Sequence, residues 1–294
     1  MCTAIKDAHL FGRTLDLSES YGEQVVISPR RFPFSFTHEG KSIDHHAIIG
    51  TAHISGGVPL YYDAMNENGL CAAALRFPEL SHYRKKAHGS INLASFELIP
   101  WLLCNFDSAE SAKKELQNIN VTDDDFSRKL PATPLHWLIA DSNQAFVIES
   151  TKDGIGIYDD PYEVLTNAPD FPTQKKQLER CGGLIPGDLS STSRFIRAVN
   201  AKSSTTHGDS TQNSISRFFH VIGTVNQPDG LFKADERRLR TVYTSCMDME
   251  SNIYYFTTYD CRRLCGVKMK NADLDTENII SFPMQQKEEV KYLN

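Results

Sequence analysis

The chain has 294 residues, of which 40% are hydrophobic and 23% charged, enough for a sizeable buried core in one layered domain spanning residues 1–294. A net charge of -6 and a pI near 5.9 leave no excess of cations for phosphates, which excludes a nucleic-acid binder. No apolar run is long enough to span a bilayer, and no basic segment followed by an apolar stretch opens the chain, so a cytoplasmic protein is expected.

The first element is the opening stretch, "MCTAIKDAHLFGRTLD". "CTAIKD" and "LFGRTLD" read as antiparallel strands joined near Ala8-His9, so that paired positions sum to about 17. Cys2 then faces Leu15, Ala4 faces Arg13, and Arg13 lies diagonal to Cys2 on the same face. Strict alternation sends Asp16 to the other face unless the strand ends or bulges there. The turn residues suit a two-residue hairpin poorly, which favours a longer loop. A small residue behind Met1 permits removal of the methionine, and Cys2 would then carry a thiol and a free α-amino group together. With an amine pKa of about 7.7–8.0 and a thiol near ~8.5, the amine can take the thiol proton. A nearby arginine favours the thiolate, and a carboxylate orients the ammonium. The plain alternatives are a small strand residue at position 2 and a surface ion pair between Arg13 and Asp16.

Further along, "EQVVISP", "HHAIIGTAHI" and "VKMK" alternate with period two. "LYYDAMNENGLCAAALRF" reads as a hairpin turning at Asn66 to Gly69. "HWLIADSNQAFVIES" reads as another, turning at Asp141-Ser142-Asn143, continued by "GIGIYDDPYEVLT"; "SNIYYFTTYD" is a late strand. Helices are expected in "DSAESAKKELQNI", "SSTSRFIRAVNAK" and "NSISRFFHVIGTV", each behind a serine or aspartate cap. The polar stretch from Ala201 to Ser214 reads as an exposed loop. Hairpins with segregated helices indicate an α+β layered sandwich. Seven cysteines, an odd number at irregular spacing, indicate free thiols in a reducing compartment. Apart from Cys2, they read as residues of half-buried strands. Cys261 and Cys265 have no second pair at zinc-finger spacing, and no metal or cofactor is expected.

Seven strings in order from the amino terminus carry a family resemblance: "MCT" with "FGRTLDLSESYGEQVVISPR", "YYDAMNENGL", "NFDSAESAKKEL", "PLHWLIADSNQAFVIES", "VLTNAPDF", "IPGDLSSTSRFIRA" and "NIYYFTTYD". They resemble the choloylglycine hydrolases, the bile salt hydrolases and penicillin V acylases, within the N-terminal nucleophile hydrolases. The resemblance implies a four-layer αββα sandwich, loss of Met1, Cys2 as nucleophile and its own amine as base. It implies Arg13 and Asp16 as an active-site pair, Asn167 as a side-chain donor to the oxyanion, and Arg194 as a second active-site arginine. Read alone, Asn167 before Ala-Pro is a turn residue, and Arg194 opposes the dipole of its helix and invites an acidic partner.

Two departures from the family pattern stand out. Arg76 occupies the place of an asparagine whose backbone N–H helps form the oxyanion hole, and the stretch from Asn167 to Arg194 is short, which puts the family's tetramer in doubt and leaves a monomer or dimer. The resemblance favours hydrolysis of glycine- or taurine-conjugated bile salts over penicillin V acylase activity; a non-catalytic binder of amphipathic anions is the alternative from another class. Leu15, Leu17 and Leu60 are expected to line the apolar part of the pocket, together with Pro59 and the "LPATPL" segment.

Overall fold

The computed structural model describes residues 1–206, 210–234, 237–288 and 290–294. The first sheet contains β1 (Cys2–Asp7), β2 (Leu10–Leu17), β14 (Val164–Leu165), β15 (Phe232–Ala234), β16 (Arg237–Asp248), β17 (Ile253–Thr258) and β18 (Cys265–Lys268). Its order is β14-β1-β2-β16-β17-β18, with β15 paired to β16. The second contains β3 (Gln24–Ser28), β6 (Ile48–Ser55), β7 (Val58–Asn66), β8 (Cys71–Arg76), β11 (Leu135–Ala140), β12 (Ala145–Thr151), β13 (Gly154–Asp159) and β19 (Ile280–Pro283). Its order is β13-β12-β11-β8-β7-β6-β3-β19. Two small pairs, β4 (Phe34–Phe36) with β5 (Gly40–Ser42) and β9 (Ile91–Ala94) with β10 (Ile119–Thr122), complete the strands.

Five α-helices occur among the described residues: α1 (Leu98–Asn105), α2 (Ala109–Glu115), α3 (Phe171–Arg180), α4 (Ser191–Ser204) and α5 (Thr211–Gly223). The layers follow from which faces are apolar. One buried cluster joins Ile5, Phe11 and Tyr254 of the first sheet to Val25, Met65 and Leu138 of the second, and extends to Phe195 and Phe218 on α4 and α5. A second cluster seats Leu98, Leu102 and Ala112 of α1 and α2 on Ile48, Ala72 and Ile148. The resulting order, helices, sheet, sheet, helices, is the αββα sandwich.

Ser108 and Ser190 cap α2 and α4 as expected, whereas α5 starts earlier, behind Ser210, and α3 behind Asp170 was not expected. Ser108, Ser190 and Ser210 each accept from a backbone N–H three residues on, as does Asp170 at the start of α3. Several expectations are corrected. The Ala201–Ser214 stretch is not one loop, because α4 runs to Ser204 and α5 starts at Thr211; residues 207–209 lie outside the described residues. "VKMK" is strand only through Lys268, where a 3-10 turn takes over, and "HHAIIGTAHI" becomes strand only at Ile48. Cys104 lies in α1, Cys181 ends α3 and Cys261 lies in a loop, so a strand position holds only for Cys71, Cys246 and Cys265. The first hairpin does turn in two residues, with Ala8 accepting a positive φ of 54°.

Gly12 shows how tightly β2 and β16 approach: an added Cβ would lie 2.0 Å from the Ser245 carbonyl oxygen. Backbone cannot yield there as a side-chain tip can. We expect Gly12→Ala to destabilise the fold by at least about 2 kcal/mol, read as a lower urea midpoint at unchanged slope.

Candidate active site

The β1–β2 register is the one the sequence indicates: Cys2 opposite Leu15, Thr3 opposite Thr14 and Ala4 opposite Arg13. Cys2 is 1% exposed. Its backbone nitrogen donates to Asn167 Oδ1 at 2.7 Å. Asn167 follows β14, whose Leu165 pairs with Ala4, so strand pairing carries the asparagine to the start of β1. Arg194, fully buried on α4, closes the frame. Its Nη1 donates to the Cys2 carbonyl at 2.6 Å and to Thr3 Oγ1 at 2.7 Å, and its Nη2 donates to Asn167 Oδ1 at 2.8 Å. No acid pairs with it within 4.0 Å among the described residues. Burial pushes the Arg194 guanidinium below its ordinary value against the attraction of Asp16 and Cys2.

The second sheet supplies the facing wall. β7 pairs with β8 only as far as Asp63 opposite Ala73. The Phe77 N–H donates to Pro134 O, so alternation turns the N–H and C=O of Ala74 and Arg76 away from β11 into the gap that β7 leaves. The Ala74 carbonyl accepts from Arg13 Nη1 at 2.5 Å, and the Arg76 carbonyl accepts from Asn167 Nδ2 at 2.7 Å. A bulge in β7 places Tyr62 outside the ladder, and its carbonyl also accepts from Arg13 Nη1, at 2.9 Å. Arg13 Nη2 remains buried without a partner. Burial opposes the charge on Arg13, yet Cys2, Tyr243, Asp63 and Asp16 together hold its pKa above the ordinary value.

Arg13 and Asp16 are not a surface ion pair: both are fully buried, and no salt bridge joins them. The irregularity at Asp16 lies in the partner strand, where β16 shifts register between Thr241 and Tyr243. Thr241 Oγ1 thereby donates to Asp16 Oδ1 at 2.7 Å, and Gln227 Nε2 donates to Oδ2 at 3.1 Å. Gln227 N–H in turn donates to Thr241 Oγ1 at 2.8 Å. The main chain of Asp16, rather than its carboxylate, meets Met1: Asp16 N–H donates to the Met1 carbonyl at 2.8 Å, and the terminal ammonium donates to the Asp16 carbonyl.

Sequence reasoning missed Asp63. Its buried carboxylate accepts from Ser245 at 2.6 Å, Tyr243 at 2.7 Å and Tyr254 at 2.9 Å, tying the two sheets together beneath Arg13. Burial pushes the carboxyl up, against Arg13 and the three hydroxyls. An aspartate amid apolar alternation in "LYYDAM" was the available signal.

Of the expected pocket residues, Leu15 is buried across from Cys2 and Leu17 packs on the same cluster. Leu60 is half-buried opposite His53 and belongs to neither cluster. A cavity of about 1160 Å³ lies between α5 and β16–β17, walled in part by Gln227 and Thr241 but not by Cys2. The buried polar groups of Asn167 and Arg194 converge instead at the main chain of Cys2.

Paired antiparallel sheets between helices, with a cysteine at the start of the first strand, are the architecture of the N-terminal nucleophile hydrolases. The description "Linear amide C-N hydrolases, choloylglycine hydrolase family" matches residues 1–185 and 180–282, and the chain belongs to that family. It is 40% identical to a bile salt hydrolase/transferase of Lactiplantibacillus plantarum and 30% identical to one of Clostridium perfringens, each over 100% of both chains. The crystal structure of a mutant conjugated bile acid hydrolase from Clostridium perfringens superposes with a TM-score of 0.92 at 29% identity over 100% of both chains. Penicillin V acylase from Agrobacterium tumefaciens shares the fold, with a TM-score of 0.81 at 21% identity over 96% of this chain and 90% of its own.

Tyr243→Phe removes one of three donors to a buried carboxylate and is expected to cost about 1–2 kcal/mol in urea melts. Asp188 receives the Ser190 N–H and the Ser193 hydroxyl at the start of α4, and Ser190 and Ser193 hold its carboxyl down at about 2. A depressed carboxyl contributes stability above its ordinary value and loses it as pH falls through the depressed one. The gap between wild type and Asp188→Ala should therefore be small and constant above about pH 5, and narrow progressively as pH falls through about 2.

Proposed function

We propose that the protein hydrolyses the amide bond of glycine- or taurine-conjugated bile salts, with Cys2 as nucleophile after removal of Met1. The observation that carries this reading is the buried Cys2 nitrogen, held by Asn167 Oδ1, which also accepts from the buried Arg194. While Met1 is attached, that nitrogen is a peptide nitrogen with no basic lone pair. Freed, it takes the thiol proton, and the unpartnered Arg13 Nη2 is available to the thiolate.

The thiolate attacks the carbonyl carbon. The oxyanion takes the second N–H of Asn167 Nδ2, whose first is spent on the Arg76 carbonyl, and the Arg76 backbone N–H on the same side of β8. The Arg76 side chain is exposed, so replacing an asparagine there leaves this donor intact. The C–N bond then breaks, the amine leaves with the proton held by the Cys2 nitrogen, and water releases the acid from the thioester. Asp16, clamped by Thr241 and Gln227, fixes the strand that flanks the amine. Arg194 positions Asn167 and the Cys2 carbonyl.

The names of the full-length relatives support the bile salt substrate, and Leu15 beside Cys2 supports an apolar acyl side. No metal or cofactor enters the scheme. The described residues contain no helix long and apolar enough to cross a membrane. Our reading takes the enzyme as cytoplasmic and as a monomer or dimer. Between Asn167 and Arg194 the chain forms α3 and a connecting loop, with no strand among these residues to form an extended hairpin.

Cys2→Ala is expected to abolish turnover while cholate still binds, and Asn167→Ala to slow turnover by roughly 100- to 1,000-fold. Hydrolysis rates for glycocholate, taurocholate and penicillin V should rank penicillin last; a preference for penicillin V would overturn the substrate assignment.

A further inference from the structure

Met1 continues the β1–β2 ladder by one pair, its main chain exchanging hydrogen bonds with Asp16. Its sulfur lies 3.6 Å from Arg194 Nη2. Loss of Met1 therefore releases three groups at once beside the new amine: the Asp16 N–H, the Asp16 carbonyl and one N–H of Arg194 Nη2. The geometry points to this vacated place as the subsite for the amine half of the substrate, selective for a short amino acid with an anionic tail and favouring taurine over glycine. The inference rests on the reading of Cys2 as the nucleophile freed by loss of Met1.

Three observations support the assignment. The leaving nitrogen must collect its proton from the Cys2 nitrogen, and the Met1 carbonyl carbon is the atom bonded to that nitrogen in the unprocessed chain, so the place it leaves is within reach of the transfer. The released Asp16 carbonyl is an acceptor for the substrate amide N–H, as it is for the Met1 ammonium. Arg194 then offers its free N–H to the tail, and a charged donor to an anion makes a strong, directional bond.

The tail lengths separate the two amino acids. In methionine the sulfur is as many bonds from the backbone nitrogen as a sulfonate oxygen is from the nitrogen of taurine. A glycine carboxylate oxygen is one bond nearer. With the nitrogen anchored on Asp16, taurine reaches the position of the methionine sulfur and glycine stops short of it.

Calorimetric titration of taurine, glycine and cholate into the mature chain, and into the same chain made with its methionine retained, tests this directly. Equal melting temperatures check that both forms are folded. The mature chain should bind taurine at least about threefold more tightly than glycine. Retained Met1 should weaken taurine by about tenfold or more while leaving cholate within about threefold. Taurine binding that ignores Met1, a mature chain that takes cholate but no taurine, or tighter binding of glycine overturns the subsite. Failure of cholate to bind either form counts instead against the bile salt reading.

Discussion

The nitrogen of Cys2 bonded to Asn167 Oδ1 is the contact around which the site is assembled. One oxygen receives two donors, that nitrogen and Arg194 Nη2, while the amide end of the same side chain grips the Arg76 carbonyl of the other sheet. A single asparagine thus joins β1, α4 and β8. Each of these elements is anchored independently: β1 by its ladders to β2 and β14, α4 by Phe195 in the core, and β8 by β11. Displacing the asparagine would release the Cys2 nitrogen and, in the proposed mechanism, one wall of the oxyanion site together.

Charge is concentrated here at a density that ordinary packing would reject. Arg13, Arg194, Asp16 and Asp63 are all fully buried, and no salt bridge joins any of them. The protein solves the desolvation problem with neutral dipoles: carbonyls of Thr14, Tyr62 and Ala74 on Arg13, and hydroxyls of Tyr243, Ser245 and Tyr254 on Asp63. Direct ion pairs would quench the field at Cys2. Two arginines held by uncharged acceptors keep their positive potential for the thiolate and oxyanion of the proposed mechanism. The opposite directions of their pKa values fit this picture, since burial acts on both but more negative neighbours surround Arg13.

Much of the β1–β2 hairpin was legible from residue order, because side-chain alternation and a short turn leave few registers, and the sum of 17 holds from Cys2–Leu15 to Asp7–Leu10. The α+β class and the helices α2, α4 and α5 were legible for the same local reasons. Asn167 and Arg194 were not legible from spacing: they reach Cys2 across 165 and 192 residues of chain, and only the family resemblance singled them out. The Thr241–Gln227 clamp and the Asp63 network depend on bulges in β16 and β7, which leave no mark in a hydrophobic pattern. Helix α1 was missed because "LIPWLLCN" is apolar on nearly every side, and α3 because "FPTQKKQLER" is mostly polar.

In the proposed mechanism, catalysis needs a Cys2 whose own nitrogen is free. Acid quenching of the enzyme during turnover of taurocholate, followed by mass mapping of the amino-terminal peptide, reads this claim at the reacting atoms. A cholyl thioester is expected on Cys2, present only on peptides that begin with that residue. A cholyl group on another residue, or on a peptide still carrying Met1, would contradict that mechanism.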